Sequence, residues 1–85
     1  MKTVLWGKVT QQHIDDAELF AGITVTERVK PDSVPVDPLV KGEPGILQRN
    51  WRLALYNEAL ICVGRNDHLV HAFERCKAPV YCVEK

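Results

Sequence analysis

Five consecutive apolar residues, Ala59-Leu60-Ile61-Cys62-Val63, closed by Gly64, constrain this chain more than any other feature. Strand side chains alternate between faces, so a run apolar at every position needs cover on both sides. That is the signature of a central strand in a parallel sheet, with helices above and below. A sheet with one wet face would show alternation instead.

The flanking segments supply the rest of such a sheet. Thr3–Gly7 is a short β-type run ending in glycine, and Thr10 is placed to cap a helix over 11–21, with Gly22 as its left-handed stop. Ile23-Thr24-Val25-Thr26-Glu27-Arg28-Val29 alternates, with Ile23, Val25 and Val29 on one side, which predicts an edge strand. Four prolines and two glycines between Pro31 and Gly45 predict an irregular, Pro-rich loop. From Ile46 to about Glu58, the apolar residues Leu47, Trp51, Ala54 and Leu55 recur at helical spacing. Asn66 or Asp67 can cap a third helix over 67–77, Pro79 closes it, and Val80–Val83 is a last strand. The order is β-α-β-loop-α-β-α-β. Residues 1–85 are thus expected to form one small α/β domain: a three-layer sandwich of a four-stranded parallel sheet, order 2-1-3-4, and three helices.

In sheets of this kind ligands bind outside the carboxyl ends of the strands, at the point where the strand order reverses. That rule selects Gly7 and Lys8 after strand 1, Gly64, Arg65 and Asn66 after strand 3, and Arg49 and Asn50 near the start of the second helix. Glycines after strands permit tight turns and close ligand approach, helix N-termini offer free N–H groups, and the basic residues add charge.

The catalytic inventory is thin. His68 and His71 share a helix at i, i+3 without a third ligand, no serine or cysteine has an adjacent base, and the cysteines lack metal-site spacing. No catalytic residue, metal or cofactor is expected. Eleven basic residues balance eleven acidic ones, so general nucleic-acid binding is disfavoured. Apolar character at the start stops within a few residues, and no run approaches a membrane span, so neither a secretory signal nor membrane insertion is expected. Three cysteines, two of them inside apolar runs, fit small buried side chains in a reducing cytoplasm.

Gly45-Ile46-Leu47-Gln48-Arg49-Asn50-Trp51-Arg52, the strand Ala59-Leu60-Ile61, the turn Gly64-Arg65 and the sequence Lys77-Ala78-Pro79-Val80 together resemble the SLOG superfamily. These are Rossmann-like domains related to the DNA-processing protein DprA and the LOG enzymes, and the likeness is to small bacterial and phage members. The shared pattern is an Arg-Asn pair opening a helix, an apolar strand, a glycine turn, a helix, and Pro-Val entering the last strand. The resemblance implies a nucleotide or nucleotide-derived ligand at the strand carboxyl ends. The departures are specific. The first loop reads Gly7-Lys8-Val9-Thr10-Gln11-Gln12 where the family has several glycines, and Gly64-Arg65-Asn66-Asp67-His68 replaces Gly-Gly-x-Gly-Thr. The glutamate of the LOG-type hydrolases has no counterpart, because Leu69-Val70-His71-Ala72 follows. The expectation is a non-catalytic module binding a nucleotide-type ligand. The alternative is a small protein–protein interaction module, of possible phage descent, that keeps the scaffold. Finally, with no helix after strand 4, one face over strands 3 and 4 should lie bare unless the loop 31–45 covers it, and a two-fold homodimer packing through this half of the sheet or through that loop is expected.

Overall fold

The computed structural model describes residues 1–33 and 43–84. Strands β1 (Lys2–Trp6), β2 (Glu27–Val29), β3 (Ala59–Val63) and β4 (Val80–Val83) alternate with helices α1 (Gln11–Ala21), α2 (Glu43–Tyr56) and α3 (Asp67–Arg75). All pairings are parallel, in the order β2-β1-β3-β4. The expected α/β sandwich and strand order are present. β3 is buried along its whole length, as its unbroken apolar run requires.

The two faces of the sheet carry separate cores. Val4, Leu60 and Cys62 pack with Leu53 and Ala54 of α2 and with Leu69, Ala72 and Phe73 of α3. Ala59 and Ile61 point the other way, onto Ile14 and Ala17 of α1 and onto Ile23. The helices therefore divide one against two between the faces, as right-handed crossovers dictate.

Several boundaries differ from the sequence expectations. β2 is three residues long, not seven. Ile23 and Val25 pack into the α1-side core, whereas Val29 joins the opposite one, so the alternation over 23–29 did not mark a single strand. The reason lies in the N-terminus: the Met1 ammonium donates to the Thr24 carbonyl and the Thr26 hydroxyl, and Thr26 and Glu27 N–H donate to the Met1 carbonyl. Residues 24–26 are thereby folded around the end of β1, and the ladder begins only at Glu27.

The Pro-rich segment 31–45 is not irregular throughout. A 3₁₀ turn occupies Pro31–Ser33, and α2 starts at Glu43. Pro44 is tolerated there because the first helical turn has no partner for its N–H groups. Residues 34–42 of that expectation lie outside the described residues. α2 ends at Tyr56 and α3 at Arg75; Lys77, at φ +58°, turns the chain towards β4.

The buried stripe of α2 is also displaced. Asn50, Leu53 and Ala54 face inward, while Leu55 is 66% exposed and Trp51 38%. A helix with Leu and Trp on two neighbouring faces leaves the choice to packing against α3, and the small Ala54 with the branched Leu53 fits that interface.

The bare face expected over strands 3 and 4 is absent. α1 packs against β3 and β4 as well as against Leu5 of β1, and Tyr81 of β4 is drawn into the α1-side core. The sequence argument for a second copy on this part of the sheet therefore loses its surface. The edge strand β2 is protected differently, by the exposed charged side chains of Glu27 and Arg28 and by Lys30 beyond it. No helix among the described residues is long and apolar enough to cross a membrane.

Candidate functional site

The first loop is built around Gly7. Its φ is +86°, and a Cβ there would stand 2.1 Å from the Val63 carbonyl oxygen. β1 and β3 thus converge on bare backbone at their carboxyl ends, which only glycine permits. The Val9 N–H donates to the Gly7 carbonyl at 3.0 Å, and Lys8 at the tip is exposed. At the head of α1, the Thr10 N–H donates to His13 Nδ1 at 3.0 Å, and the His13 N–H donates to Thr10 Oγ1 at 3.4 Å. This reciprocal cap occupies backbone donors that a phosphate would need. Glutamines follow, each donating from Nε2 to an aspartate one turn on: Gln11 to Asp15 and Gln12 to Asp16.

The second loop is likewise satisfied from within. The Gly64 N–H donates to the Val83 carbonyl at 2.7 Å, and the Trp6 ring lies 3.2 Å from where a Gly64 Cβ would be. The indole therefore fills the crevice where the strand order reverses. Asn66 Oδ1 accepts from the Leu69 N–H and caps α3, and Arg65 pairs with Asp67 at 3.2 Å in solvent. Below the loop, the Cys62 thiol donates to the Gly64 carbonyl. Burial, and next the neighbouring Cys82 thiol, push the Cys62 thiol from 9.0 up to about 12.

A stability prediction follows from that thiol. Between those two values the folded state keeps the Cys62 proton while the unfolded chain releases it, so stability falls as pH rises from about 9 to about 12. Thermal melts at about pH 8 and about pH 10.5 should show a larger loss for the wild type than for Cys62→Ala. Equal losses would mean that Cys62 ionises as easily folded as unfolded.

The expected site residues are thus not brought together. Gly7 and Gly64 meet at the ends of β1 and β3, but Lys8 projects into solvent, Arg65 turns to Asp67, and Asn66 is a helix cap. Asn50 is 4% exposed and lines a small cavity of about 50 Å³ between α2 and α3, with Leu47, Trp51, His68, His71 and Ala72. Among the described residues, the Nε of half-buried Arg49 and the Nδ2 of Asn50 are enclosed without a hydrogen-bond partner.

A larger opening lies one strand over. Leu5, Gly7 and Val9 at the end of β1, with Arg28, Val29, Lys30, Pro31 and Asp32 at the end of β2, enclose a cavity of about 450 Å³. It borders the α1-side core, into which Leu5 and Val9 also pack. Leu5, Val9, Val29 and Pro31 give it apolar walls, and Arg28 and Lys30 give it positive charge, offset in part by the Asp32 carboxylate. Among the described residues neither base has a carboxylate partner; Arg28 Nη2 donates to Gln11 Oε1 at 3.2 Å. Only Gly7 of the expected residues lines this cavity. Arg28 and Lys30, two bases bracketing Val29 beside a Pro-Asp turn, were the available signal, and an edge-strand reading passed over it.

No family model, curated protein or solved structure matches this chain.

Proposed function

We propose that this chain is a non-catalytic module that binds a nucleotide or nucleotide-derived anion at the carboxyl ends of β1 and β2. The observation that carries this reading is the cavity bearing Arg28 and Lys30. Its volume falls in the range of small-molecule sites, roughly 300–1,000 Å³. It lies outside the carboxyl ends of β1 and β2, one strand over from the point where the strand order reverses. Apolar walls suit a base or sugar, and the two cations suit phosphate. The SLOG resemblance points to the same ligand class, although the loops that would cradle phosphate near Gly7 and Gly64 are internally bonded.

The test is a thermal-shift screen with nucleoside mono- and diphosphates at millimolar concentration. A ligand at 100 times its dissociation constant adds about 2.7 kcal/mol, or a rise of about 10–20 °C for a domain of this size. The rise should vanish in Arg28→Ala/Lys30→Ala, whose own melting point should change little because both residues are on the surface. A flat screen, or a rise that survives the double substitution, sinks the proposal.

One observation favours a second reading, a protein–protein interaction module. Trp6 lies on Gly64 and closes the crevice a ligand would ordinarily enter. Exposed Leu55 and Tyr56 on α2, and Leu19 and Phe20 on α1, supply apolar surface for a partner, a second copy included. Under that reading no small anion moves the melt.

A further inference from the structure

β3 and β4 are in register at two cysteines. Cys62 and Cys82 are direct partners across the parallel ladder, so both side chains leave the same face of the sheet. Their sulfurs converge on one acceptor: Cys62 Sγ is 3.5 Å and Cys82 Sγ 3.9 Å from the Gly64 carbonyl oxygen. Cys62 is wholly buried and Cys82 exposed, while the third cysteine, Cys76, caps the far end of α3. All three are free thiols.

We propose that Cys62 and Cys82 form a dithiol site that closes reversibly into a disulfide by exchange with a low-molecular-weight disulfide. Neighbouring strands lie about 4.8 Å apart, within the ~4.4–6.8 Å Cα separation a disulfide spans. The accessible partner reacts first. Cys82, deprotonated by solvent base, attacks one sulfur of the small disulfide. An S–S bond forms between Cys82 and that half, and the other half leaves as a thiolate that takes up a proton. Cys62 then loses its proton to solvent base and attacks Cys82 Sγ, displacing the second half as a thiol. The two protein thiols are oxidised by two electrons, and one small disulfide is reduced to two thiols.

Burial sets the order of these steps. Cys62 is wholly buried and out of reach of the incoming disulfide, whereas Cys82 is exposed, so Cys62 serves only to resolve the mixed species. Closure also withdraws both S–H donors from the Gly64 carbonyl. The redox state is thereby written into the loop that follows β3.

The experiment treats the full chain, folded and reduced, with glutathione disulfide, then alkylates free thiols and measures intact mass and peptide links. The expected product is a monomer lacking two hydrogens, with Cys62 joined to Cys82 and Cys76 alkylated. Cys76→Ser should close in the same way. Cys82→Ser, a change at an exposed site that leaves the core intact, should form no internal link. A glutathione adduct that persists on Cys82, a link through Cys76, a disulfide between two chains, or no reaction would each overturn the proposal.

Discussion

Ile61→Asp should abolish folding. Ile61 is fully buried at the centre of β3, between Leu5 of β1 and Tyr81 of β4, and it packs onto Ile14, Ala17 and Ile23. The substitution removes about 1.5–3 kcal/mol of apolar burial. It also places a carboxylate among Ile14, Ala17 and Ile23, none of which can pair with it, at a further cost of several kcal/mol. An 85-residue domain has only about 4–13 kcal/mol of stability in total. The expected result is an insoluble or unfolded chain, without a cooperative melt by far-UV circular dichroism. Ile61→Val, which keeps the shape, should lose only about 0.5–1.5 kcal/mol. A soluble Ile61→Asp protein that melts cooperatively would mean that β3 is not the doubly covered strand.

The same property of β3 made the fold legible. A strand covered on both faces has no reason to alternate, and its apolar run named the sheet type, the need for helices on both sides and its own central place. The caps were equally readable, because Thr10, Gly22 and Asn66 act through bonds to their own helices. What failed depended on remote partners. The alternation over 23–29 was overruled by the Met1 ammonium and carbonyl, which the sequence places more than twenty residues away. The position of α1 over β3 and β4 is a matter of how two faces share the available side chains, and local pattern does not encode it.

The site was less legible than the fold for a related reason. Glycines after strands mark both ligand loops and places where the chain crowds, and here it crowds: Gly7 against the Val63 backbone, Gly64 against the Trp6 ring. Arg49 and Asn50 stood out as a motif, yet helix rotation carried Asn50 into the α2–α3 interface. Arg28 and Lys30 became candidates only once β2 was seen beside β1 with an opening at their shared end.

Among the described glycines outside α2, Gly7→Ala should be the most costly addition of a single methyl group. At φ +86° a side chain pays about 1–2 kcal/mol for the left-handed backbone. The added carbon would also stand 2.1 Å from the Val63 carbonyl oxygen and 3.1 Å from its carbon, and backbone cannot swing aside as a side-chain tip can. Forcing β1 and β3 apart at this point adds an overpacking cost of about 1–3 kcal/mol. Together these give about 2–5 kcal/mol, a fall in melting temperature of at least about 8 °C. Two other glycines serve as internal standards. Gly64→Ala meets only the edge of the Trp6 ring, at 3.2 Å, and should cost less. Gly22→Ala meets nothing within 4 Å, so it should cost only the backbone strain, about 1–2 kcal/mol. Urea unfolding of the three variants should therefore rank Gly7 above Gly64 above Gly22. If Gly7→Ala is no worse than Gly22→Ala, the two strands do not close on bare backbone. The crevice between them would then be open to a ligand after all.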